Sequence, residues 1–212
     1  MSADLVHLVR HGEVENPGHV LYGRLPGYGL SERGHRMAAL AADSLAGHPV
    51  TGLIVSPLQR TRESAAPWAA RFGLAPVVDD RVIEGWNQFE GLRVRRAVQR
   101  NPLLLWRMRN PRRPSWGEPF VSMRERMLAA MADAADSVET GEVVIVSHQA
   151  PIETVARSVA GLRMPVNPGR RRTTLSSITS FRRSASTGAW TEVGYQEPAA
   201  GLLRDAIDTG AV

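Results

Sequence analysis

The stretch Leu5-Val6-His7-Leu8-Val9-Arg10-His11-Gly12 is a short apolar run that ends in two basic side chains and a glycine. A run this short, aliphatic and halted by a turn former, reads as a buried strand that delivers Arg10 and His11 to a loop. The pattern recurs twice. Leu53-Ile54-Val55-Ser56 meets Pro57, with Arg60 three residues on, and Val143-Val144-Ile145-Val146 meets Ser147-His148.

Helical patterns lie between these strands. Leu30-Ser31-Glu32-Arg33-Gly34 opens a helix capped by Ser31 that runs to Leu45, and Pro57 begins another that reaches about Phe72, with Pro67 as a kink. The Arg-rich segment Leu92 to Arg109 reads as helical until Asn110-Pro111 and Pro114 stop it. Residues 119–138 have helical spacing with Val121, Met127, Leu128 and Met131 as the inner face, and a further helix runs from about Pro151 to Val159. Ala75 to Val78, Leu175 to Phe181 and Trp190 to Tyr195 read as additional strands, the last two joined across Ser186-Thr187-Gly188. Short apolar strands alternating with helices imply an α/β fold of three layers, a largely parallel central sheet flanked by helices. The expected organisation is a single domain over residues 1–198, with a helical Arg-rich insertion at about 92–138 and a tail over 199–212.

Composition narrows the function classes. With 43% hydrophobic and 22% charged residues in 212, the chain is neither a disordered polyelectrolyte nor a fibrous repeat. Cysteine is absent, which removes thiolate nucleophiles, disulfides and cysteine-based metal sites. No basic leader precedes an apolar stretch and no run approaches the roughly 18 apolar residues of a membrane span, so the expectation is a cytoplasmic protein without membrane attachment. The formal net charge is +5, and eight arginines (93, 95, 96, 100, 107, 109, 112 and 113) fall in one segment without an acid. Such a local field suits an anionic small molecule, nucleic acid, or simply a solvated helix face. Aromatic content of 6% and the lack of a nucleic-acid module argue against nucleic acid.

In open α/β sheets ligands gather at the carboxyl ends of strands. Three such ends carry Arg10-His11-Gly12, Ser56-Pro57 with Arg60, and Ser147-His148, and they define one candidate site. His7 and His11 do not form a zinc pair, because four residues along a strand separate them by about 13 Å. His19, His35 and His48 read as surface histidines, and Trp106 and Trp116 as buried helix anchors in preference to stacking platforms for a base or a sugar. Ser147 is disfavoured as a nucleophile served by His148, since neighbours on a strand point to opposite faces.

Arg-His-Gly after a buried strand, Leu30-Ser31-Glu32-Arg33-Gly34, Ser56-Pro57-Leu58-Gln59-Arg60, and a Ser147-His148 strand end, in that order, resemble the motifs of the histidine phosphatase superfamily, in its phosphoglycerate mutase-like branch. The resemblance runs from about Leu5 to Gly161. It implies His11 as nucleophile, Arg10 and Arg60 as phosphate clamps, His148 as a further phosphate ligand, cationic or donating, and Glu84 as proton donor, with Glu90 and Glu13 as fallbacks. It also implies Asn16 as a phosphate donor, although Asn16-Pro17 equally reads as a turn. Gln149 stands where relatives carry glycine, next to the phosphate. Arg112 and Arg113 resemble the paired arginines that meet the acidic substrate in phosphoglycerate mutases.

Two guanidinium forks stabilise a transferring phosphoryl group without a metal, and a neutral imidazole nitrogen can attack it in line. The expected activity is a phosphatase that needs no metal or cofactor and hydrolyses a small phosphorylated metabolite through a phosphohistidine. Phosphoglycerate mutase-type transfer is the alternative enzymatic reading. An Arg-rich anion- or RNA-binding protein on a degenerate phosphatase scaffold is the non-enzymatic one.

Overall fold

The computed structural model describes residues 2–107, 116–164 and 171–208. Six strands form one sheet: β1 (Leu5–Arg10), β2 (Val50–Val55), β3 (Val77–Val78), β4 (Glu142–Ser147), β5 (Ile178–Arg183) and β6 (Trp190–Gln196), in the spatial order β3-β2-β4-β1-β5-β6. Strands β1 to β4 pair in parallel, while β5 pairs antiparallel with β1 and β6 antiparallel with β5. The sheet is therefore mixed, with a parallel centre and a hairpin on one edge.

Alternation along the central strands explains the layers. Val143 and Ile145 of β4 pack with Val6 and Leu8 against α5 (Phe120–Asp136) and α6 (Gln149–Val159). Val144 and Val146 pack with Val9, Leu53 and Val55 against α1 (Glu32–Ser44) and α2 (Gln59–Phe72). Residues 143–146 are completely buried, so each contributes about 1.5–3 kcal/mol of apolar burial, and both faces of β4 are dry. Among the described residues no helix is long and apolar enough to cross a membrane.

Several boundaries differ from the sequence expectations. Helix α2 begins at Gln59 rather than Pro57, because Leu58 is still extended. The Arg-rich segment breaks into α3 (Val94–Arg100) and α4 (Leu104–Arg107): Pro102 follows Asn101, whose side chain accepts from Leu103 N at 3.2 Å and starts a turn. Val121 is 57% exposed and the inner face of α5 runs through Met123, Met127, Ala130, Met131 and Ala134 instead. Trp106, at 67% exposure, is not a buried anchor. Strand β5 starts at Ile178 rather than Leu175, since Ser176 adopts φ +56° in the preceding turn. Of residues 199–208, Ala200–Leu203 form α7, and Ala199 packs with Met37 and Leu175.

The two glycines of the leading motifs explain each other. A Cβ on Gly12 would lie 2.4 Å from Gly34 O, and one on Gly34 would lie 2.0 Å from Glu13 O, so the loop after β1 and the first turn of α1 touch backbone to backbone. Ser31 caps that helix by accepting from Gly34 N at 3.0 Å. Gly34→Ala gains at most about 1 kcal/mol of helix propensity, whereas overpacking costs about 1–3 kcal/mol and here meets a backbone carbonyl that cannot rotate away. Thermal unfolding should therefore show Gly34→Ala destabilised, while Gly201→Ala in α7, with open space around its Cβ, is not. A Gly34→Ala protein as stable as wild type would contradict this close contact.

Candidate active site

The carboxyl ends of β1, β2 and β4 supply the reactive groups. Arg10 closes β1 and donates its backbone N–H to Ser177 O, and His11 N donates to Ser147 O at the end of β4, both at 3.1 Å. The His11 side chain is completely buried, and its Nδ1–H donates to Gly12 O at 2.8 Å. That bond fixes the tautomer and leaves a lone pair on Nε2, which has no hydrogen-bond partner among the described residues. Burial, reinforced by the charges of Arg60 and Arg10, holds its pKa well below the ordinary imidazole value of 6.5. His11 is a neutral base with a free nitrogen.

Arg60, on the first turn of α2, donates through Nη2 to Gly23 O at 2.7 Å and to His148 Nδ1 at 3.1 Å, and its guanidinium lies 4.8 Å from the Tyr22 ring centroid. Because Nδ1 of His148 accepts, its Nε2 carries the hydrogen and donates to Ser56 Oγ at 2.7 Å. Of the two states expected of His148, cationic or donating, the geometry gives a donating one, and burial and then Arg60 push its pKa well below 6.5. The His11 and His148 ring centroids are 5.2 Å apart.

Glu84 follows the 3₁₀ turn Asp80–Val82 and is 1% exposed. Its Oε1 accepts from Gly85 N at 2.9 Å, its Oε2 lacks a partner, and burial raises its pKa against the pull of Arg60. Arg24 anchors the segment, donating to Glu84 O at 2.6 Å while pairing with Glu118, which Arg126 also holds. The fallback acids are engaged elsewhere. Glu13 accepts from Ser31, Arg33 and Ile207 N, and Glu90 accepts from Arg24 N and Asn87 N.

Of the buried side-chain polar atoms without a hydrogen-bond partner among the described residues, four belong to the groups singled out in the sequence: Arg10 Nε, Arg60 Nε, His11 Nε2 and Glu84 Oε2. An unsatisfied buried group costs about 1–3 kcal/mol, and two donors, a lone pair and a raised-pKa acid complement an oxyanion joined to a leaving oxygen. Asn16 takes the turn role, its amide bonding Val20 in both directions at 2.9 and 3.2 Å. Gln149 donates to Thr173 O and accepts from Arg171, each at 3.2 Å. Arg112 and Arg113 lie outside the described residues.

Two groups were not anticipated. Arg171, half-buried, feels the charges of Glu84 and Arg10, and the run Arg170-Arg171-Arg172 was its signal in the sequence. Asp208, from the stretch set apart as a tail, pairs with Arg10 through both guanidinium nitrogens, Nη1 and Nη2, while Ile207 N is held by Glu13. No local pattern announces a carboxylate that crosses the whole chain to reach β1.

Fold and site together define an α/β protein whose reactive groups, with no thiol among them, gather at the strand ends of a partly parallel sheet. The chain belongs to the histidine phosphatase superfamily (branch 1), whose sequence model matches residues 6–195. It is 46% identical over 197 residues to the uncharacterized protein Rv0525 of Mycobacterium tuberculosis, covering 92% of this chain and 96% of that one. It is 29% identical to phosphoserine phosphatase 1 of Hydrogenobacter thermophilus over 73% of this chain and 75% of the relative. Among solved structures, a mycobacterial glucosyl-3-phosphoglycerate phosphatase complexed with VO3 shares the fold with a TM-score of 0.72 at 23% identity, over 90% of this chain and 97% of that one.

An anion entering this site meets Asp208 on Arg10. The Asp208 side chain is 39% exposed, so the pair is worth about 1 kcal/mol and its loss roughly a fivefold change in affinity. Asp208→Asn should lower the inhibition constant of inorganic phosphate by about that factor, with a smaller effect at high salt. An unchanged constant would show that Asp208 does not compete for the clamp.

Proposed function

We propose that the protein is a phosphatase that hydrolyses a small phosphorylated metabolite in two steps, without a metal. The observation that carries this reading is the free Nε2 of a neutral, buried His11 beside two buried guanidiniums. In the first step Nε2 attacks phosphorus, the bond to the leaving oxygen breaks, and the proton on Glu84 moves to that oxygen. In the second, Glu84 as carboxylate takes a proton from water, the oxygen attacks phosphorus, and the N–P bond breaks to return His11 and inorganic phosphate. Arg10 and Arg60 supply fixed positive charge to the equatorial oxygens throughout, and their burial makes that charge act in a dry setting. The similarity to a phosphoserine phosphatase supports hydrolysis of a small substrate.

A second reading has its own support. The chain is 28% identical to the probable phosphoglycerate mutase GpmB of Erwinia tasmaniensis over 96% of this chain and 95% of the relative. In that case the phosphoryl group passes to an acceptor hydroxyl rather than to water.

Rapid quenching with a labelled aryl phosphate tests both. Wild type should give an acid-labile, base-stable adduct that decays to phosphate, and His11→Ala should give none. Glu84→Gln should accumulate the adduct, because an aryl leaving group needs little protonation whereas water still needs its base; turnover should fall by about 10²–10⁴. An adduct retained in His11→Ala overturns the nucleophile, and decay that requires an added phosphoglycerate acceptor favours the mutase reading.

A further inference from the structure

At the opposite ends of the same strands, His7, His48 and Glu142 converge. His7 Nε2 and His48 Nδ1 both lie 2.9 Å from Glu142 Oε2, and the three ligand atoms fall within 4.8 Å of one another. The two imidazole rings are perpendicular, at 88° with centroids 6.0 Å apart, so both can aim a nitrogen at one point. Neither the phosphoryl chemistry nor the apolar core uses these groups. We propose that His7, His48 and Glu142 form a binding site for a zinc ion.

Ligand type selects the metal. Two imidazoles and one carboxylate suit Zn²⁺, which takes nitrogen and oxygen at about 2.0–2.2 Å in a tetrahedron, whereas Mg²⁺ and Ca²⁺ favour oxygen sets. Tetrahedral ligands at that radius stand about 3.3 Å apart, so the 2.9 Å contacts need open by only a few tenths of an ångström. His48 is on the accessible side, its side chain 43% exposed, and leaves the fourth position to water.

The surroundings are built for the exchange of protons for metal. As hydrogen-bonded, both nitrogens facing Glu142 carry hydrogens, and His7 Nδ1 accepts from Ser180 Oγ at 2.8 Å. When a metal takes the lone pair of His7 Nε2, the hydrogen moves to Nδ1 and donates to the same hydroxyl, because a serine oxygen can donate or accept. No buried group is left unpaired. The backbone already fixes the three positions: His48 N donates to Leu45 O, Glu142 N donates to Pro49 O, both at 2.9 Å, and His7 sits in β1 between β4 and β5. A bound ion would therefore tie the α1–β2 turn to the entry ends of β1 and β4, about 13 Å from His11 along β1. Its consequence is stability, not turnover.

Isothermal titration of the metal-stripped full chain with ZnCl₂ tests the site, with His48→Ala and His11→Ala alongside. One equivalent should bind to wild type and to His11→Ala, and binding should weaken at least tenfold in His48→Ala. At about 100 times the dissociation constant, zinc should raise the melting temperature of wild type by about 5 °C or more and leave that of His48→Ala unchanged. Phosphatase turnover of His48→Ala should equal that of wild type. Absence of binding to wild type overturns the proposal, as does binding that survives in His48→Ala but is lost in His11→Ala, which would place the ion on the catalytic histidines.

Discussion

Two arginines buried beside two histidines set the terms for the rest of this molecule. Arg10 and Arg60 are essentially inaccessible, and taking a guanidinium out of water is costly unless its donors are met. The structure meets them with Thr173 O, Gly23 O, His148 Nδ1 and the Asp208 carboxylate, but leaves both Nε groups unpaired. A cationic imidazole in such company is strongly disfavoured, so His11 and His148 are neutral. Burial, reinforced by these charges, therefore keeps the His11 Nε2 lone pair available, the same charges clamp the phosphoryl group in the proposed reaction, and burial holds the Glu84 pKa above the ordinary carboxyl value.

The fold serves that arrangement. Parallel pairing of β1 with β4 and of β4 with β2 aligns three carboxyl ends, so Arg10, Ser147 and the Ser56 turn stand side by side although they are far apart in sequence. Gly12 and Gly34 then press α1 against the loop that carries His11, and Ser56, whose hydroxyl receives His148 Nε2–H, is also the residue whose carbonyl accepts from Thr61 in α2.

Much of this was legible in the chain. The apolar runs at 5–9, 53–55 and 143–146 are short and continuous, which is the mark of strands buried on both faces, and polar residues at their ends stand out against that background. The Arg-rich segment was less legible because helical composition did not reveal the turn at Asn101-Pro102. Arg171 and Asp208 were missed for a different reason: they reach the site from irregular backbone, where no period reports direction. His48, read as a surface histidine, is exposed, yet its partner Glu142 becomes visible only when the sheet brings β4 beside β2.

The central claim is that burial beside two cations keeps His11 neutral with its lone pair on Nε2. Titration of imidazole-¹⁵N-labelled protein by NMR, without phosphate, measures this directly. The account predicts that His11 holds the Nδ1–H tautomer from neutral pH down to well below 6.5, and that Arg60→Gln moves its titration upward. A His11 that protonates at or above 6.5 in the wild-type protein, or one whose titration is indifferent to Arg60, would contradict it.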